Sequence, residues 1–160
     1  TALDNNIVFN RRYRYVAMRV TRVKVGNEWL QVDSAPSPSA TVFTRDVFPP
    51  ASPAGLVAVP ISAAMNKGRP EVDLSWSANT EPDMAQYLIF RRDIDAEAPS
   101  NQSVAEQIAP ENPKMPVVVP AFRDRHVQPG HTYTYCVIAV DNAGNRSPRS
   151  PEVAVTVPRF

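Results

Sequence analysis

Residues 132–141 place two sets of side chains alternately along the chain, one for each face of an extended strand. Tyr133, Tyr135 and Val137 share one face because successive side chains of a β-strand point to opposite sides. The segment follows the dipeptide Pro129-Gly130, which is typical of tight turns. The pattern therefore predicts a turn and then a long strand with one face in a core.

The same pattern occurs 120 residues earlier. The matching pairs are Asp4 and Asp124, Ile7 and Val127, Tyr13 and Tyr133, Tyr15 and Tyr135, and Val20 and Val140. A recurrence without slippage predicts one structural unit that is present twice. In the first copy Phe9-Asn10 replaces the Pro-Gly turn, and residues 23–32 lengthen the hairpin that follows.

Short strand-like runs separated by Pro, Asn, Asp and Gly continue along the whole chain. The predicted strands are 13–24, 41–45, 55–59, 71–77, 86–92, 115–119, 132–141 and 153–157. Helical periodicity is scarce, and the best candidate helix is 103–108, which is at most a turn or two long. Many short strands with turn signals between them are typical of a β-sandwich or a barrel.

A proline-rich connector divides the chain at residues 46–53, where three prolines stand within five positions. Such a segment is stiff and extended. The predicted domains are residues 1–48 and 49–160, with insertions in the second near 61–70 and 93–114.

Composition and charge narrow the range of functions. The formal net charge of +1 gives no general attraction to nucleic acid. The sequence has no apolar run of about 18 residues, so no membrane-spanning helix is predicted. Cys136 is the single cysteine and cannot form an internal disulfide.

Several segments of the second domain resemble the fibronectin type III family. Residues 49–56 are similar to its opening segment, 72–76 to its second strand with the core tryptophan, and 83–91 to its third strand. Tyr133 stands where that family places its corner tyrosine, and residues 139–147 resemble the end of its sixth strand. The resemblance covers nearly all of residues 49–160 and is closer to bacterial extracellular copies than to animal ones.

The resemblance implies an all-β, immunoglobulin-like sandwich of seven strands. Residues 1–48 resemble only the last two strands of a second such domain that precedes it. A hydrogen bond between the Tyr133 hydroxyl and nearby backbone is also implied. The implied inward residues are Val72, Leu74, Trp76, Tyr87, Ile89, Tyr133, Tyr135, Val137 and Ala139.

The opposite face of the same strands is also apolar, although outward positions on a solvated sheet are normally polar. The candidate partner-binding residues are Leu88, Phe90, Cys136, Ile138 and Val140, with Val16, Met18 and Val20 in the first copy. We expect this face to be covered, either by a partner chain or by the insertion 93–114. The first copy itself needs completion, because two or three strands are not stable alone in water. Upstream strands or strands of another chain would supply it.

The sequence contains no recognised catalytic or metal site. Asp93, Asp95 and Glu97 alternate in a loop but lack the glycine and distal glutamate of a calcium loop. His126 and His131 have neither further zinc ligands nor a Gly-x-Ser-x-Gly segment nearby. No enzyme activity, cofactor or metal is therefore predicted.

The expected function is that of a structural and protein-interaction module in an extracellular or cell-surface protein, within a larger assembly. Secretion, lipid anchoring and a bacterial periplasm all fit, and any membrane association is expected from parts outside this chain. One alternative is an accessory carbohydrate- or matrix-binding region of a secreted bacterial hydrolase, with Trp29 as the candidate exposed ring. Another is a strand-donating filament subunit, in which residues 1–48 pair with a different chain.

Overall fold

A computed structural model of the protein describes residues 2–64, 66, 68–96 and 105–159. The chain divides into unit 1, Thr1–Val47, and unit 2, Phe48–Phe160. Every regular element in these described ranges is a β-strand. No helix that could span a membrane was found there.

Unit 1 consists of two antiparallel strand pairs. Its strands are β1 (Arg12–Tyr15), β2 (Val20–Val25), β3 (Glu28–Asp33) and β4 (Ala40–Phe43). Strand β1 pairs with β4, and β2 pairs with β3. The β2–β3 hairpin closes through a two-residue turn whose first residue, Gly26, has a φ of 65°. That conformation suits a glycine and matches the twist of a tight hairpin.

Unit 2 is a sandwich of two antiparallel sheets. Its strands are β5 (Val57–Ile61), β6 (Glu71–Ser75), β7 (Met84–Asp93), β8 (Glu106–Ala109), β9 (Ala121–Asp124), β10 (Thr132–Asp141) and β11 (Val153–Thr156). One sheet has the order β5-β6-β9 and the other the order β11-β10-β7-β8. The two central strands, β7 and β10, are the longest because they supply core residues over their whole length.

The core of unit 2 lies between these sheets, and all nine residues predicted to point inward are buried in it. Trp76 packs edge-on against Tyr87 with ring centroids 5.1 Å apart. The prediction of which side chains point inward is confirmed, because in an extended strand every second side chain lies on the same side of the sheet. Burying each large side chain of this kind contributes roughly 1.5–3 kcal/mol.

Two predicted strands differ from the structure. The predicted strand 13–24 is interrupted between β1 and β2, at residues 16–19. Residues 115–119 form no strand and contribute one bridge, between Val117 and Tyr87, because prolines at 116 and 120 cannot donate to a ladder. Strand β9, which follows directly, was not predicted, and neither was β3 as a separate strand.

The helix predicted for 103–108 is wrong where the structure describes it. Glu106–Ala109 is the edge strand β8, while residues 103 and 104 lie outside the described ranges. The outer side of an edge strand faces solvent, so Glu106 and Gln107 are polar and exposed. That composition hides the apolar alternation on which a strand prediction depends.

Candidate interaction surfaces

The outward apolar positions of unit 2 form a small cluster of their own. Leu88, Ile138 and Val140 are buried, with 5, 8 and 7% of their surface exposed, and Phe90 is half-buried beside them. The β7–β10 register sets Leu88 opposite Ile138 and Phe90 opposite Cys136. These side chains offer little accessible area for a partner in the isolated chain.

Arg149 covers part of this cluster. Its guanidinium carbon lies 5.2 Å from the centre of the Phe90 ring, which is within the range of a cation–π interaction. Cys136, opposite Phe90, is also buried, and its burial raises the pKa of the thiol. A reactive thiolate is therefore disfavoured at this position.

The equivalent positions in unit 1 are open. Val16, Met18 and Val20 are 54, 57 and 56% exposed. We call these three residues the outward row. Strand β10 has β7 along one edge, whereas β1 has no second neighbouring strand among the described residues. The same sequence pattern is thus buried in one copy and accessible in the other.

The β2–β3 hairpin of unit 1 has two different faces. Cross-strand pairing puts Lys24 opposite Trp29, whose ring is 66% exposed. The other face is aliphatic and exposed, and it consists of Val23, Val25, Leu30 and Val32. Sequence reasoning noted the lengthened hairpin but missed this face, although period-two spacing within 23–25 and 30–32 is its signal.

A polar groove of about 1390 Å³ runs between strands β8 and β9 of unit 2. Arg91 lies at its base and binds both Asp124, at 2.9 Å, and Glu106, at 2.5 Å. Burial alone lowers the pKa of Arg91, but the two carboxylates outweigh it and leave that pKa raised. Tyr135 donates a further hydrogen bond of 2.9 Å to Asp124.

The rim of this groove is paired as well. Arg123 binds Asp73 at 2.5 Å, and Arg125 approaches Glu71 at 3.3 Å. Charges that satisfy each other across four strands, here β6 to β9, are typical of a network that holds the sandwich together. The groove therefore presents few charges that a ligand could engage without breaking an existing pair.

The candidate chemical residues of the sequence are used structurally. Asp93 accepts hydrogen bonds from the backbone N–H groups of Asp95 and Ala96 and contacts His131 Nδ1 at 2.9 Å. Asp95 accepts one from the backbone of Thr132 at 2.6 Å. Glu97, the third member of that acidic series, lies outside the described residues.

Comparisons with known proteins agree with this architecture. No family model matches the chain, and no curated protein matches it. The FN1–FN3 domains of chicken CNTN1 superpose with a TM-score of 0.53 and 16% identity, over 94% of this chain and 55% of that one. The third fibronectin III domain of the human KIAA0343 protein gives 0.52 and 15%, over 70% and 86%. An Fn3-like protein from Clostridium thermocellum is 28% identical over 69% of this chain and 96% of that one, with a TM-score of 0.49.

The sheet topology and the similar structures place the protein in the class of all-β, immunoglobulin-like sandwiches. Within that class it has the fibronectin type III fold, as the resemblance in the sequence implied. Domains of this fold are generally non-catalytic modules with structural or interaction roles. The fold by itself names no partner, so the partner must be argued from surfaces.

Proposed function

We propose that the chain is a non-catalytic structural and protein-interaction module of an extracellular or cell-surface protein. Its protein partner contacts the outward row of unit 1. The observation that carries this proposal is the contrast between the two copies. Apolar side chains recur at equivalent outward positions, where they are buried in unit 2 and more than half exposed in unit 1. Exposed apolar area of this kind usually marks an interface.

Basic residues on the same face define what the partner should offer. Arg12 and Arg14 precede the outward row on that face, and Arg22 and Lys24 follow it. The fitting partner surface is an apolar strip with carboxylates at both ends. Complementary charges at the rim set the orientation and the association rate more than the affinity.

Site-specific cross-linking in the native host tests this proposal. A photoreactive amino acid at Met18 should give a defined adduct with another protein, because Met18 belongs to the outward row. The matched control is the same amino acid at Arg19, whose counterpart in unit 2, Ala139, faces the core. Equal adducts at both positions, or adducts at neither, would contradict the proposal.

Carbohydrate binding is a second candidate, favoured by the exposed ring of Trp29. Planar aromatic rings that are open to solvent can stack on sugars while their polar edge stays hydrated. Retention on insoluble cellulose and in polygalacturonate gels should then be lost in Trp29→Ala. Leu30→Ala, on the other face of the hairpin, should keep it. A wild-type chain that neither matrix retains would remove this candidate.

A further inference from the structure

Unit 1 repeats the side-chain hydrogen bonds of unit 2 at the spacing of 120 residues. In unit 2 the backbone N–H of Gln128 donates to the Tyr133 hydroxyl at 2.9 Å, and in unit 1 Val8 donates to Tyr13 at 2.7 Å. The Tyr135 hydroxyl donates to Asp124 at 2.9 Å. Its counterpart, the Tyr15 hydroxyl, donates to Asp4 at the same distance.

Two serines in each unit extend the repeat into the segment that precedes the next strand. In unit 2 the backbone of Val137 exchanges hydrogen bonds with Ser150, whose Oγ accepts at 3.0 Å. In unit 1 Ala17 makes the same exchange with Ser37, again at 3.0 Å. A second serine repeats this arrangement in each unit. The pairs are Ala139 with Ser147 and Arg19 with Ser34, and the Oγ distance is 2.9 Å in both.

The strand registers agree with these contacts. Tyr133 lies opposite Val155 in the β10–β11 ladder, and Tyr13 lies opposite Val42 in the β1–β4 ladder. Strand β4 is therefore 113 residues from β11, while β1 is 120 residues from β10. The seven-residue difference between these two offsets corresponds to the longer β2–β3 hairpin. This hairpin lies in the connection between β1 and β4 and leaves their pairing unchanged.

The two units differ in what covers this common hairpin. In unit 2 the face that carries Tyr133 and Tyr135 packs against the opposite sheet, and only 2 and 1% of these residues is exposed. Tyr15, the counterpart of Tyr135, is 38% exposed. Strand β7 pairs along one edge of β10, and among the described residues no strand pairs along that edge of β1. A two-stranded ribbon with two open faces is marginal in water.

We propose that unit 1 is the last part of a second fibronectin type III sandwich. The face of unit 1 that carries Tyr13 and Tyr15, together with the unpaired edge of β1, binds a set of five strands like β5 to β9 of unit 2. We call this set the complement. The same polypeptide supplies that complement. The argument for this source is Asp4, which corresponds to Asp124, the final residue of β9. The chain thus approaches β1 along the path that leads out of β9 in unit 2, so the covering sheet is joined to unit 1 through Leu3.

Hydrogen exchange of the 160-residue chain provides the first test. The amides of residues 12–15 and 40–43 should exchange almost as fast as in an unfolded peptide, while those of β7 and β10 stay protected. If unit 1 is protected as strongly as β10, and the protection does not depend on protein concentration, it folds by itself and the proposal fails. Protection that rises with concentration would make a second copy the occupant, which also overturns the proposal.

A fusion supplies the proposed complement directly. Residues 49–123 of this chain are duplicated and joined to Asp4, so that Asp4 takes the place of Asp124 at the end of the added β9. Exchange of the β1 and β4 amides should slow by roughly hundredfold or more. Because Ala17 stands where unit 2 has Val137, the fusion is also made with Ala17→Val, which restores the missing core volume.

The control fusion carries Ser at positions 72, 74 and 76 of the duplicated segment only, which keeps the tether and removes the apolar face. It should give no protection. Equal protection in the control fusion, or none in either test fusion, would overturn the proposal. The complement would also place side chains of a β7-like strand beside the outward row, as Leu88 and Phe90 lie beside Ile138 and Cys136 in unit 2. A Met18 adduct within the same polypeptide would therefore support this proposal, whereas an adduct with a different protein would support the proposed function.

Discussion

The hydroxyl of Tyr135 donates a 2.9 Å hydrogen bond to the carboxylate of Asp124. Asp124 also binds Arg91, and both side chains are largely buried. Burial of the tyrosine, followed by the nearby carboxylate charge, raises the pKa of Tyr135. The pair joins strands β9 and β10, which belong to different sheets, so it ties the two layers of the sandwich together.

Removal of this carboxylate should therefore be costly. Asp124→Ala leaves Arg91 as a buried cation without its main partner, and a loss of about 3–5 kcal/mol in the free energy of unfolding is expected. Replacing both residues together, as Asp124→Leu with Arg91→Met, should lower the free energy of unfolding by clearly less than the sum of the losses in Asp124→Leu and Arg91→Met made singly. Urea unfolding of all variants measures this, and strict additivity would contradict a coupled buried pair.

Tyr133 and its counterpart Tyr13 can be compared in a matched pair of variants. Tyr133→Phe leaves the N–H of Gln128 without its acceptor and should destabilise unit 2 by roughly 1–3 kcal/mol. Tyr13→Phe removes the equivalent bond to Val8 in unit 1. It should leave the unfolding midpoint of unit 2 unchanged, as followed by the fluorescence of Trp76 in a Trp29→Phe background. A shift of that midpoint in Tyr13→Phe would contradict this prediction.

The outward positions offer a second matched pair. Ile138→Asp places a carboxylate in a buried apolar cluster without a partner and should unfold unit 2 at lower denaturant or abolish folding. Met18→Asp changes the equivalent position of unit 1, which is exposed, and should alter stability little. Chemical denaturation compares them, and equal destabilisation would show that Met18 is covered in solution.

Acid should weaken the loop that follows β10. Burial alone raises the pKa of Asp141, but hydrogen bonds from Asn145, Ala143 and Gly144 outweigh it and lower the pKa from its ordinary value of 3.8. A depressed carboxylate pKa contributes stability that is present above the ordinary value and is lost as pH falls through the folded-state value. The denaturant concentration at the unfolding midpoint, measured from pH 7 down to pH 2, should decrease once the pH is below about 4. Asp141→Asn should flatten part of that fall, and an unchanged profile would count against this assignment.

Much of unit 2 could be predicted from the sequence because its central strands are long and alternate cleanly. Tyr133, Tyr135 and Val137 identify the core face by spacing alone. The edge strands β8 and β9 could not be placed in this way, since Glu106 and Arg123 put charge on strands with a solvated side.

The Arg91–Asp124–Tyr135 network lay beyond sequence reasoning for a different reason. Its members come from three strands, and the ion pair spans 33 residues. Sequence spacing carries no signal for such contacts between sheets. The 120-residue recurrence of Asp4 and Asp124 was the one hint that this carboxylate has a fixed role.

The seven additional residues of the β2–β3 hairpin have a practical consequence. They lengthen the hairpin beyond the serine hydrogen bonds that both units share, while the pairing of β1 with β4 keeps the register seen in unit 2. The additional residues thus lengthen the end of the hairpin and do not change the pairing of the strands at its base. The corresponding turn of unit 2, around Gly144, should accept a foreign peptide of similar size without a shift in the β10–β11 register, so an epitope can be grafted there at the cost of the hydrogen bonds to Asp141.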